Sequence, residues 1–310
     1  MTTPHVADPA RGAGWAVATA TAYSLSAIVG KDLLTRLGIP SMLFWRFGLA
    51  AAVLWVIVAV RRRTNAAVVA DYPRGAVFAL GALFGWLIYV GFLSLERLDA
   101  SVYIVLVYLY PVVVVVVSSL LGHRIAPLTW AALALVIVGV VLTVPEVFTG
   151  VGSVDSLGVA LALGQAVLFA GFLMVNSRIV PVAADGVVTA AWTVLGAAVA
   201  VVPAVVVDGL VLPKGALLVS EVAMFALVPT VVSNICFFRA LRHLPAGVVA
   251  MVLTLEVALA IVWSVLLLDE TVGLIRGLGA ATVVGAVLLA QWTTVSGRSG
   301  AVVTDPVAAR

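Results

Sequence analysis

The chain has 310 residues, 64% of them hydrophobic and 10% charged, with a formal net charge of +3 and a mean hydropathy of +1.25. A soluble domain is about 45–50% apolar and about 25% charged, so a water-soluble core is excluded and lipid is the solvent for most of the chain. The small positive charge makes no case for nucleic acid, because basic residues in the loops of one membrane face account for it.

A helix needs about 20 apolar residues to cross about 30 Å of hydrocarbon. Ten such spans follow in chain order, at about 14–30, 41–60, 75–94, 100–121, 127–145, 157–177, 186–207, 216–238, 247–268 and 273–293. The run Val112–Val117 would favour a strand in water. In lipid an open strand leaves its backbone unpaired, so helix prevails. Residues 1–13 and 294–310 read as polar tails, and 146–156 as a linker. The first residues lack the basic segment of a cleaved signal peptide, so the first span is expected to stay in the mature protein. The single cysteine, Cys236, permits no intrachain disulfide.

With the N-terminus inside, 11 of the 17 Lys and Arg residues fall on inner segments, led by Arg61, Arg62 and Arg63, and 5 on outer ones. Both termini are therefore expected in the cytoplasm. The second half repeats the first at an offset of about 146 residues, with Phe92–Ser101 lining up with Phe238–Gly247. Each repeat holds five spans, an odd number, so the second enters the membrane from the opposite side. The expected fold class is an all-α polytopic membrane protein of ten transmembrane helices in two inverted five-helix repeats, 14–145 and 157–293.

Several motifs recur across the repeats. The first holds Phe44–Phe47, Leu109-Tyr110-Pro111 and Leu121–Arg124; the second holds Gly158–Ala162, Phe169–Phe172, Leu255-Glu256-Val257 and Leu267–Glu270. Together they resemble the ten-helix EamA-type transporters of the drug/metabolite transporter superfamily. Val257 stands where that pattern usually has proline, and His123 near its usual glutamate. The resemblance implies two five-helix repeats around a central cavity lined mostly by spans 1, 3, 4, 6, 8 and 9. It also implies transport of small organic solutes, often export of amino acids or related metabolites.

Glu256 lies mid-span, where a charge costs at least about 2.5–3.5 kcal/mol. It reads as a proton- or amine-binding carboxyl, with a packing hydrogen bond to Asn234 or Ser233 as the structural alternative. Arg46 reads as a counter-ion for Glu96, Asp99 or a substrate carboxylate, or as an interfacial anchor whose stem reaches the outer surface. Aromatic residues cluster at Trp86, Tyr89, Tyr103, Tyr108 and Tyr110. Tyr103 and Tyr110 are seven apart and share a face on a continuous helix, as do Glu256 and Trp263. Such rings suit an amphiphilic molecule or an ammonium group. Ser24, Gln165 and Asn234 fall on the helices expected to line the cavity, with Ser26, Asn176 and Thr254. The expected substrate-binding set is Ser24, Trp86, Tyr89, Tyr110, Gln165, Asn234, Glu256 and Trp263. Pro111 and Pro229 interrupt two spans and permit bending there.

No catalytic residues are identified. His5, His123 and His243 are too dispersed for a metal site, and no phosphate-binding lysine motif is present, so neither cofactor nor metal is expected. The reading is a secondary transporter or facilitator in the cytoplasmic membrane of a prokaryote, exporting an amino acid or related metabolite by alternating access. Its partners are a small-molecule substrate and the bilayer, with no nucleic acid; a homodimer is compatible with the sequence. A polytopic enzyme acting on lipid-like substrates, or a channel or sensor, is the competing class. The acidic pairs Glu96/Asp99 and Asp269/Glu270 are the only ones such an enzyme has available.

Overall fold

The computed structural model describes residues 9–64, 73–121, 127–143, 155–179, 185–241, 243–244, 249, 252–253, 255–269 and 271–295. Among the described residues the chain is helical, with no strand. The helices are α1 (Pro9–Leu37), α2 (Ile39–Thr64), α3 (Arg74–Leu95), α4 (Ala100–Val107), α5 (Tyr110–Leu120), α6 (Pro127–Thr143), α7 (Ser156–Ile179), α8 (Gly186–Asp208), α9 (Ala216–Ala226), α10 (Ser233–Leu241), α11 (Leu255–Leu268) and α12 (Leu274–Val295). A π-helical turn, Leu227–Val232, joins α9 to α10. Spans 4 and 8 are thus each made of two helices, α4 with α5 and α9 with α10.

Five helical segments of the described residues are long and apolar enough to cross a membrane: Ile39–Arg63, Arg74–Leu95, Ser156–Asn176, Gly186–Asp208 and Ala216–Phe237. Shorter apolar helices include Leu255–Leu268 and Gly277–Ala286. Helix α1 has the length but carries more polar residues. Its hydroxyls are satisfied within the helix: Thr19, Thr21 and Ser24 donate to the carbonyls of Trp15, Val17 and Thr21 at 2.9, 3.0 and 2.8 Å. That removes the cost of an orphan polar group in lipid. Val56, Val206, Val207 and Leu266 stay more than half exposed, a pattern that lipid explains.

Helix α1 begins at Pro9, inside the segment 1–13 that reads as a tail. Proline tolerates the first helical position, where its missing N–H is not needed. Most of the expected linker, 146–156, and most of the tail at 294–310 lie outside the described residues. Between α1 and α2 the chain reverses at Gly38, whose φ is +69° and whose N–H reaches the Leu34 carbonyl at 2.9 Å. That left-handed helix ending favours glycine.

The packing pairs the two repeats. Helix α3 packs on α7 and α8, α1 on α10 and α11, α2 on α8, α4 on α11, and α6 on α12. Exchanging each span for its partner five places on turns this set of pairs into itself or into contacts that are also present, which is what a pseudo-two-fold relation requires. Most of the core joins spans 1, 2, 3, 6, 7 and 8 with α4. A smaller core of Ile104, Val105, Tyr108, Val136, Val257, Ala260, Ala280, Val283 and Ala286 joins spans 4, 5, 9 and 10.

Ion pairs link the repeats on both sides of the bundle. On the side where α1 begins (the near side), Arg61 donates from both terminal nitrogens to Asp185, at 3.2 and 2.9 Å. Asp185 also caps α8 by accepting from the N–H groups of Val187 and Val188. On the far side, Arg97 donates to Asp155 at 2.8 Å, and Asp155 caps α7 through Leu157 and Gly158. The Arg97 hydrogen bond, with these backbone donors, holds the Asp155 carboxyl below the usual range. Each capping aspartate thus serves a helix start and a cross-repeat clamp together.

Helices α3 and α8 cross at their closest where Gly81 and Gly85 face Thr193 and Ala197. A Cβ on Gly85 would lie 2.9 Å from Ala197 Cα. Gly85→Ala is expected to destabilise the protein by about 1–3 kcal/mol through overpacking, read as a lower thermal unfolding midpoint in detergent. A variant that melts with the parent would show that this crossing has room to spare.

Candidate functional site

Polar side chains from six spans meet inside the bundle. Tyr23 and Ser24 come from α1, Arg46 from α2, Tyr103 from α4 and Tyr108 from the break after it. Gln165 comes from α7, Thr230 from the π turn, Ser233 and Asn234 from α10, and Glu256 and Trp263 from α11. Local sequence explains several of these placements. Pro111 cannot donate a backbone hydrogen bond, and span 4 breaks just before it, at Tyr108–Leu109. Pro229 sits in the π turn of span 8 for the same reason. The carbonyl of Thr230 is then taken by side chains: Asn234 Nδ2 donates to it at 2.6 Å and Ser233 Oγ at 3.2 Å.

Glu256 is held across the repeat boundary. The Tyr108 hydroxyl lies 2.6 Å from its Oε2 and 3.3 Å from the Leu253 carbonyl. At the 146-residue offset Glu256 is the counterpart of Tyr110, so equivalent positions carry a phenol in one repeat and a carboxyl in the other. Tyr110 meets Phe169 edge-on at 4.8 Å and Tyr108 at 5.7 Å. Two turns further along α11 from Glu256, Trp263 Nε1 donates to Ser24 Oγ at 3.1 Å. Tyr103 donates to Gln165 Oε1 at 2.9 Å, and Gln165 is only 4% exposed. Glu256 is within electrostatic reach of Tyr23, Tyr103, Tyr108 and Tyr110.

Six of the eight expected binding residues therefore sit in or beside one cluster: Ser24, Tyr110, Gln165, Asn234, Glu256 and Trp263. Two do not. Trp86 is 47% exposed on the same outward face of α3 as Leu83, and Tyr89 packs against it at 5.6 Å. The helical period explains the correction, because Gly81, Gly85 and Gly91 take the inward positions of α3. Arg46 is corrected too. It is 5% exposed instead of reaching the surface, and it pairs with neither Glu96 nor Asp99. Its Nε donates to Thr230 Oγ1 at 3.0 Å. Asp99 lies by Lys31 instead, at 4.0 Å. Asn234 and Ser233 do not bond Glu256; Tyr108 does. The expected shared face of Tyr103 and Tyr110 does not hold, because the helix is interrupted between them. Thr254 and Glu270 lie outside the described residues, as do His5 and His123.

The two ends of this cluster differ. On the far side a cavity of about 530 Å³ opens between Lys31, Asp32, Thr35, Asp99, Leu268, Asp269 and Thr271. On the near side Gly12 packs against His243 and Leu244, and Arg239 lies 4.8 Å over the Trp15 ring. Ala16, Ala240 and Val249 are buried beneath that contact.

The sequence model of the EamA-like transporter family matches residues 10–144 and 156–292. The chain belongs to the EamA-like transporter family. It is therefore a membrane transporter of the drug/metabolite type, and each matched segment is one five-span repeat. No curated protein matches the chain. A solved structure described as "Crystal structure of protein" is similar over 94% of this chain and 99% of its own, with a TM-score of 0.66 and 15% identity, which establishes likeness of fold.

The EamA cluster includes residues that sequence reasoning passed over. Tyr108 was grouped with the aromatics, but its position immediately ahead of Leu109-Tyr110-Pro111 marks the break that aims it at Glu256. Tyr23 and Thr230 carry no spacing signal, and Ser233 entered only as a packing partner for Glu256. Tyr108→Phe is expected to lower stability by about 1 kcal/mol, the size of one interhelical hydrogen bond in a membrane protein. Tyr110→Phe, whose hydroxyl has no hydrogen-bond partner among the described residues, is expected to change it by less than about 0.5 kcal/mol. Unfolding midpoints in mixed detergent micelles compare the two, and equal losses would reject the Tyr108–Glu256 bond.

Proposed function

We propose that this transporter exports a small organic solute, an amino acid or related metabolite, by alternating access around the Glu256 cluster. The observation that carries the reading is a carboxyl placed between the repeats and hydrogen-bonded to Tyr108 across their boundary. A carboxyl at that depth is expensive unless it has work to do. In this reading Glu256 takes up and releases a proton, or a substrate ammonium, as access changes sides. Ser24, Gln165, Asn234 and Trp263 orient the solute, and the Tyr110 ring supplies an apolar face. The near side is the cytoplasmic one, both chain ends lie there, and the membrane is the inner membrane of a prokaryote.

Glu256→Gln keeps the shape and removes the titration. Counterflow of labelled amino acids in liposomes is expected to fall by at least about tenfold in this variant, the loss typical of a proton-transfer group. Parental rates with normal insertion would assign Glu256 to packing.

Alternating access adds a second expectation. The near-side contact must part for the solute to enter, and Cys236, 5% exposed, lies one turn above Ala240 in that contact. Trp15→Ala removes the ring under Arg239, a contact worth about 0.5–2 kcal/mol. Maleimide labelling of Cys236 is expected to speed up by about tenfold. An unchanged rate would show that this contact does not gate the near side.

A further inference from the structure

Arg46 carries hydrogen-bonding capacity that the protein leaves unused. Its guanidinium carbon stands 4.5 Å over the Phe225 ring and 5.5 Å from that of Phe47. Its Nε is committed to Thr230 Oγ1. Its Nη1 is buried and has no hydrogen-bond partner. The charged or titratable groups within its electrostatic reach are the phenols of Tyr103 and Tyr23, and no carboxylate of the described residues pairs with it. Those phenols have partners of their own: Tyr103 donates to Gln165, and Tyr23 shares a hydrogen bond with Ser233.

A buried guanidinium with no counter-ion is among the more costly arrangements a protein can hold, more so in a membrane. Stacking on two phenylalanine rings offsets part of that cost. It leaves the Nη1 donors without a partner among the described residues, on a planar group whose shape suits a carboxylate. Glu256 lies within electrostatic reach of the same two phenols. The cluster therefore holds one unpaired cation and one acid, with hydroxyls near both.

We infer that Arg46 binds the carboxylate of the transported solute. The carried class is then organic acids and zwitterions, with simple amines and amides excluded. A zwitterion fits best, its cationic or donor end toward Glu256 and its acid end on Arg46. The assignment rests on the transport reading of this same cluster. The anion is a solute in place of a lipid headgroup, because Arg46 is enclosed by α2, α9 and the π turn at 5% exposure.

The test uses the full chain in phosphatidylcholine nanodiscs and matched sets in which the acid or the amine changes: phenylalanine, phenylalaninamide, phenethylamine and 3-phenylpropionate, with the corresponding leucine and alanine series. Affinity is read from ligand-induced shifts of the unfolding midpoint. Compounds with a carboxylate are expected to bind at least about tenfold more tightly than their amides, the worth of one charge-assisted hydrogen bond. Arg46→Gln is expected to bring that ratio close to one. Arg46→Lys keeps the charge without the planar donors and is expected to reduce the ratio partially, so the inference is tested even where Arg46→Gln does not insert. Amides that bind as well as acids, an acid preference that survives in a folded Arg46→Gln protein, or no binding by any acid of the three series would each overturn it. So would competition by added phosphatidylglycerol, which would give the site to a lipid headgroup. Counterflow separates this inference from the one beneath it. Saturable exchange whose acid preference ignores Arg46 rejects the anchor and leaves the transporter. Arg46-dependent binding without exchange rejects transport through this cluster and leaves the anion site.

Discussion

Inside hydrocarbon an ionisable side chain has only the protein for solvent, and this bundle buries Arg46 and half-buries Glu256 in one polar cluster. A lone charge at such depth costs at least about 2.5–3.5 kcal/mol. The fold keeps Glu256 and Arg46 on opposing elements, with Tyr23 and Tyr103 within reach of both. A directly paired Arg46 and Glu256 would neutralise each other and give a rigid joint. Held apart, each is solvated by hydroxyls and rings and keeps part of its bonding capacity for something else. In the proposed reading, that separation is what lets a packing interface receive a polar solute.

The frame around the cluster is close to symmetric, and the chemistry within it is not. Spans five places apart make corresponding contacts, yet the counterpart of Glu256 is Tyr110. Pro111 follows Tyr110, whereas Val257 follows Glu256. Proline interrupts span 4, and Tyr108 beside the break reaches the acid of the other repeat. One repeat supplies the carboxyl and the other the donor that holds it. A symmetric scaffold can rock between two equivalent arrangements, while an asymmetric cluster keeps a single acid at its centre.

Much of the architecture was legible in the sequence. In a bilayer the apolar runs leave helix as the only outcome, and the repeat at an offset of about 146 residues fixes how the halves relate. Glu256, Trp263, Ser24 and Gln165 were legible because a polar residue in a span must face protein. What failed was geometry within a span. The shared face of Tyr103 and Tyr110 assumed an unbroken helix, and Pro111 breaks it. Trp86 was assigned by residue type, although the glycines of α3 already occupy the inward positions. Arg46 was placed by its distance from the span's end, which misses that Phe225 and Thr230, from a sequence-distant span, meet it beside its own neighbour Phe47. Contacts of that kind leave no periodic trace in one chain.

The contacts at the two ends give the cluster a direction. Far-side ties, Arg97 to Asp155, Arg36 to Glu221 and Trp45 Nε1 to the Val211 carbonyl at 3.0 Å, join the repeats on the side of the cavity among Lys31, Asp99 and Asp269. On the near side, Trp15 under Arg239 and Gly12 against Leu244 join α1 directly to span 8 and the residues that follow it. Helix α1 also carries Ser24, which accepts from Trp263, and Tyr23, which faces Glu256 and Arg46. The helix that closes the near side is therefore the one whose polar face completes the cluster. A movement of α1 that parts Trp15 from Arg239 would also disturb the groups around Glu256, so in the proposed transport cycle α1 links access to binding.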